Sequence, residues 1–200
     1  MEQFEVLFIG LSTIDIEYLV EKLPQTNTKA FSTEFAILAG GPAYNAAVTF
    51  SFLGGEAVFL SAVGHGKLSS VVRDDADAHQ VWIIDAAPHT KEVPISSVIV
   101  EAKSGSRTLV SNSAAVSRPE ARFDDAWEGI SPSILLWDKF YPELAADAFE
   151  RNQGCNAPVI LDGDTWTPGN EELLPEVDVA ICSECFSPPG ASNVSEASSL

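Results

Sequence analysis

The sequence is short of positive charge. Eleven lysines and arginines face 29 aspartates and glutamates, so the formal net charge is −18. A surface this acidic repels nucleic acid and anionic lipid, and argues against either as a partner. It also means that a phosphate-bearing ligand must be met by local basic groups or aligned backbone N–H groups. Cysteine is scarce too: Cys155 stands alone, and Cys182 and Cys185 form "CSEC". One C-x-x-C with no second pair and no nearby histidine makes a poor zinc site. It follows the apolar run "VDVAIC" instead of opening a helix, which also argues against a thioredoxin-like pair. The cysteines read as ordinary thiols. No apolar run is long enough for a membrane span. Glu2, Glu5 and Asp15 stand where an export signal would carry positive charge, so a cytoplasmic location is expected. There is no G-x-G-x-x-G, which disfavours a dinucleotide fingerprint.

What is present reads as α/β. The 200 residues, 46 % of them hydrophobic, suffice for one globular domain or part of a larger one. "VLFIG" (6–10) and "AVFLSAVG" (57–64) are short apolar runs closed by glycine, the pattern of buried strands. Between them, 42–53 reads as a helix, with Ala46, Phe50 and Leu53 at helical spacing and Gly54-Gly55 at its end. Strand, helix, strand is the unit of a parallel sheet. "TKAFSTEFAIL" alternates loosely as a strand. "VPISSVIVE" and "RTLVS" flank the turn "AKSGS" and predict a hairpin. A hairpin inside an alternating chain suggests a small accessory sheet that could serve as a lid. "SILLWD", the helix "YPELAADAFERNQG", "APVILDGD" and "VDVAIC" resume the alternation. The tail "SPPGASNVSEASSL" reads as loop, and its Asn193-Val-Ser sequon has meaning only on a secreted protein.

The stretch "LAGGPAYNAAVTFSFLGG" (38–55) concentrates chemistry. Gly40 and Gly41 allow positive φ and close approach of a ligand to the backbone. Pro42 suits the first turn of a helix. Asn45 falls in that turn, near free N–H groups, and its amide offers donors and an acceptor suited to sugar hydroxyls. A tight turn with a capping asparagine is the other reading. Asp15, in "GLSTIDIE", follows the first strand closely, and ligands of open α/β sheets bind at the carboxyl ends of strands. Its carboxylate can accept two hydroxyl hydrogen bonds, or it can be a solvated loop aspartate.

"AGGPAYNAAVTFSFLGGEAVFLSAVG" resembles the first signature of the ribokinase/PfkB family of carbohydrate kinases, with Gly41, Asn45, Ala47, Gly54 and Gly64 at the family's spacing. "VLFIGLSTIDIE" resembles the family's first strand and substrate-binding aspartate. "VPISSVIVEAKSGSRTLV" resembles its lid hairpin, and is most similar to the ketohexokinase-like branch. "VILDGDTWTPGNEELLPEVDVAIC" resembles the strand pair leading toward the nucleotide site. The resemblance runs in family order over almost the whole chain.

It implies a ribokinase-like fold, a mostly parallel sheet flanked by helices with a small antiparallel β lid, truncated at the C-terminus. The whole chain, 1–200, would be a single partial domain, with lid strands from about 12–39 and 93–113. The implied activity is ATP-dependent phosphorylation of a sugar hydroxyl. Asp15, Gly40, Gly41 and Asn45 would bind the sugar. The hairpin near Arg107 would close over it and exclude water, or pair with a second copy's lid in a homodimer. ATP and Mg²⁺, with a monovalent cation, are the family's cofactors. Three departures stand out. After Gly64 the family usually has an acidic residue, where this chain reads "GHGKLSS". An Asn-x-x-Glu element is replaced by Ser183, Glu184, Cys185 and Phe186. Above all, the Gly-Ala-Gly-Asp segment that carries the catalytic base and an anion hole is absent. Asp138, in "LLWDKF", stands near the place of an acidic sugar contact. The resemblance therefore implies the sugar-binding half of a kinase; the alternative is a non-catalytic sugar-binding or interaction protein.

Overall fold

The computed structural model describes residues 5–90, 92–113, 119, 130–167 and 169–190. Its central layer is a six-stranded sheet in the order β10-β9-β8-β1-β4-β5. The strands are β1 (Glu5–Ile9), β4 (Glu56–Ser61), β5 (Val81–Asp85), β8 (Ile134–Trp137), β9 (Val159–Gly163) and β10 (Val179–Cys182). Every neighbouring pair is parallel. Such a sheet is covered on both faces, which is why its strands read as apolar runs without alternation.

The two faces carry separate cores. Val6 and Phe8 of β1 face helices α1 (Pro42–Phe52) and α2 (Ser69–Ala78), packing with Ala43, Tyr44, Ala47 and Val72. Leu7 and Ile9 face the other way, with Trp137, against Leu144, Ala145 and Phe149 of helix α3 (Pro142–Asn152). The α2 helix and β5 lie in a stretch where the sequence predicts no element. The acidic "RDDADA" weakens the helical pattern, and β5 is only five residues long.

Among the described residues, cover is incomplete on the α1 side. Ile134, Leu136 and Ile160 line an open apolar groove of about 450 Å³, bordered by Phe50 of α1 and by Leu53 just past its end. The Ala46–Phe50–Leu53 stripe that marks α1 as a helix is thus not its buried stripe, which is Ala43, Tyr44 and Ala47. Beside the groove, edge strand β10 leaves Val179 49 % and Ile181 62 % exposed. No helix among the described residues is long and apolar enough to cross a membrane.

A second, four-stranded sheet has the order β3-β2-β6-β7. It consists of β2 (Thr13–Val20), β3 (Ser32–Gly40), β6 (Ile95–Glu101) and β7 (Arg107–Ser111). The β2–β3 and β6–β7 pairs are antiparallel, and β2 joins β6 in parallel. The predicted hairpin is β6–β7. The Asn193 sequon lies outside the described residues.

Candidate functional site

The chain reverses at β1. It builds β4 and β5 on one side, then crosses back to build β8, β9 and β10 on the other. A parallel sheet opens a crevice at such a switch point, outside the carboxyl ends of the strands. The loop after β1, the start of α1 and the end of β8 all meet there.

Gly41 forms the corner. It is the N-cap of α1, with φ 116°, and brings no side chain of its own to cap the helix. A Cβ on Gly41 would stand 1.9 Å from the Leu11 carbonyl oxygen, so both conformation and space demand glycine. Pro42 fixes the first turn, and the Asn45 N–H donates to the Gly41 carbonyl at 2.9 Å. The side chain of Asn45 is exposed and makes no hydrogen bond among the described residues, so it is not the cap.

Asp15 meets the same corner from the second sheet. Thr13 and Gly40 are paired across β2 and β3, as are Asp15 and Leu38. The Thr13 hydroxyl donates to the Asp15 carboxylate at 2.9 Å, and a Cβ on Gly40 would lie 2.2 Å from Asp15 Oδ2. Asp15, Gly40 and Gly41 therefore belong to one corner; Asn45 follows one helical turn on, its N–H on the Gly41 carbonyl, and borders the apolar groove with Thr49 and Phe50. Arg107 does not join them. It pairs with Val100, in the row of Leu19, four positions along the strand from the Asp15 row, roughly 13 Å at the ordinary rise.

Several residues were not legible as site residues. Ser96 and Ser111 continue the row of Asp15, and their hydroxyls are 3.2 Å apart. Their spacing in alternating strands was the signal available. Against Gly64, where the sequence offers no following acid, a carboxylate does arrive, from the end of β5. Asp85 Oδ1 accepts the N–H groups of Val63 and Gly64, each at 3.1 Å, and Oδ2 pairs with Arg73. At the end of β8, Asp138 is 1 % exposed. It accepts N–H groups from Leu11 at 3.0 Å, and from Ala43 and Phe140 at 3.1 Å. Burial pushes its carboxyl up to about 7, against the pull of those three N–H bonds, and the charge of Asp162 adds to the rise. Next to it, Lys139 is buried with φ 69°, and its ammonium bonds the Thr165 hydroxyl and, at 3.3 Å, Asp164.

The Ser183 hydroxyl donates to the Asp164 carbonyl and accepts the Cys185 N–H. Cys182 and Cys185 are free thiols, and burial with the charge of Asp162 raises Cys182. Among the described residues no group of three His, Cys, Asp or Glu is placed to hold a metal. The Ala43 N–H at the start of α1 is already spent on Asp138. Among the described residues these groups do not form a cradle for ATP.

The chain was compared with known proteins. A family profile described as pfkB family carbohydrate kinase matches residues 3–184. A mouse (Mus musculus) ketohexokinase is 27 % identical over 111 residues, 55 % of this chain and 37 % of that protein. Among solved structures, a microbiome-derived acarbose kinase superposes with a TM-score of 0.76 at 16 % identity, covering 94 % of this chain and 63 % of the other. A ribokinase of Arabidopsis thaliana, complexed with ribose and ATP, superposes at 0.71 with 19 % identity, covering 100 % and 67 %. This chain thus spans little more than a third of the curated relative.

Proposed function

We propose, for a chain that belongs to the pfkB family of carbohydrate kinases, that it carries the sugar-binding part of an ATP-dependent sugar kinase. The observation that supports this most is the Asp15 carboxylate against Gly40, next to Gly41, at the switch point of the sheet, with the Asn45 amide, unpartnered among the described residues, one helical turn on. Asp15 accepts hydrogen bonds from two neighbouring sugar hydroxyls. Asn45 takes one hydroxyl as donor and another as acceptor. Gly40 and Gly41 let the ring approach the backbone. The second sheet covers the bound sugar, with Ser96 and Ser111 in the Asp15 row as further hydroxyl partners, and excludes water that would compete as acceptor. In such a kinase ATP, with Mg²⁺, would supply the phosphoryl group. The exposed Phe35, Ile37, Leu109 and Val110 of the second sheet support pairing with a second copy's lid. Sedimentation velocity tests that pairing: a monomer at micromolar concentration rejects it.

A second reading is a non-catalytic sugar-binding or interaction protein. Phosphorylation assays with ATP across ribose, fructose and nucleosides separate the two. Turnover by this chain supports the kinase. Binding without turnover supports the second reading.

A further inference from the structure

We propose that Asp138 is the positioning residue of the Gly40–Pro42 corner, fastening the start of α1 to the exit of β1 through backbone N–H groups, and does not itself touch a ligand. That the corner binds a sugar rests on the reading above; the clamp does not.

The carboxylate is fully enclosed, and its oxygens are occupied. Oδ2 accepts Leu11 N–H at 3.0 Å and Ala43 N–H at 3.1 Å, and Oδ1 accepts Phe140 N–H at 3.1 Å. Two of these bonds span 127 and 95 residues of sequence, so one side chain ties together three separate elements. Space is reserved for it: a Cβ on Gly10 would stand 2.1 Å from the Asp138 carboxyl. The α1 helix has no side-chain cap and no acidic residue in its first turn. Asp138 supplies that missing negative partner from β8.

The bonds bracket Gly41. Leu11 donates its N–H to Asp138 and lays its carbonyl where a Cβ of Gly41 would stand, while Ala43, two residues on, donates to the same oxygen. The register of Gly41 on Leu11 is therefore set by one atom, Asp138 Oδ2. Neither Leu11 nor Ala43 brings a titratable group. The titratable groups facing the carboxyl are Asp162 of β9 and the Tyr141 hydroxyl at the start of α3, whose own ionisation burial and Asp138 push up. The neighbouring Lys139 ammonium is committed to Asp164 and Thr165. Ionised, the carboxylate holds its donors strongly; protonated, it grips them less.

The test is amide hydrogen exchange, with calorimetric titration of D-fructose and D-ribose, between pH 6 and pH 8.5. In Asp138→Asn, protection at Leu11 and Ala43 is expected to fall about tenfold relative to wild type, while Leu60 in the central sheet is unchanged. Sugar affinity is expected to weaken about tenfold and lose its pH dependence, whereas wild-type affinity weakens toward pH 6. Unchanged protection at Leu11 and Ala43, or a variant affinity that follows pH as wild type does, overturns the proposal. If the variant does not fold, the wild type decides: protection at those two amides, relative to Leu60, must be lower at pH 6 than at pH 8.5, and equal protection overturns the clamp. If wild type binds neither sugar, the sugar-binding reading fails, and the exchange result still judges Asp138.

Discussion

Asp15 Oδ2 stands 2.2 Å from where a Cβ of residue 40 would be. Gly40 is thus held to glycine by a neighbour's side chain and not by its own backbone, whose φ lies outside the positive range. Gly40→Ala should push the Asp15 carboxylate aside, with little cost to the fold. Calorimetry should read a loss of sugar affinity of about tenfold or more, and thermal melting a small shift. Unaltered affinity would separate Asp15 from the site.

Gly41 differs in kind. Its φ of 116° and the Leu11 carbonyl 1.9 Å from its missing Cβ leave no room for alanine. Gly41→Ala should destabilise the protein by roughly 2–4 kcal/mol in urea unfolding, well beyond Gly40→Ala. Equal stability of the two variants would contradict this distinction.

Much of this corner was legible because it is local. Gly40, Gly41, Pro42 and Asn45 are consecutive or within one turn, and each residue type has a narrow use there. The sequence left Asn45 between cap and ligand; the structure gives the cap to Gly41, the helix-end N–H of Ala43 to Asp138, and the Asn45 amide no partner among the described residues. Asp138 was read only by its nearness to a ligand position. Its partners lie 95 and 127 residues away, beyond any periodicity. The α2–β5 unit was missed because its helix is acidic and its strand short, with Trp82 73 % exposed. It is positioned by tertiary ties such as Asp85 to Gly64 and Arg73. Arg107 shows the reverse: a persuasive turn motif whose register sets it four positions from the Asp15 row.

Asp138 also governs a pH dependence. Its folded carboxyl is raised to about 7 from an ordinary 3.8. The folded state therefore holds this proton more tightly than the unfolded chain does. The stability it contributes is fully present below about 4 and is lost as pH rises through about 7. Urea unfolding of wild type minus Asp138→Asn should reveal a stability difference that declines by a few kcal/mol from pH 4.5 to pH 8. A flat difference would mean that the carboxyl is not desolvated as the structure has it.

The open side of the sheet is a liability. Ile181 is 62 % exposed on edge strand β10, beside the groove lined by Leu136 and Ile160. An apolar edge of this kind templates association. Ile181→Lys should reduce self-association in light scattering without lowering the melting temperature. An unchanged scattering profile would place the association surface elsewhere.

The central claim is that the Asn45 amide and the Asp15 carboxylate form a sugar site. Isothermal titration of wild type and Asn45→Ala with D-fructose and D-ribose, with circular dichroism as the folding control, tests it most directly. Wild type should bind at least one of these sugars saturably, and the variant should lose that binding while keeping its spectrum and melting temperature. A folded Asn45→Ala variant that binds as wild type does, or a wild type that binds neither sugar, would contradict it.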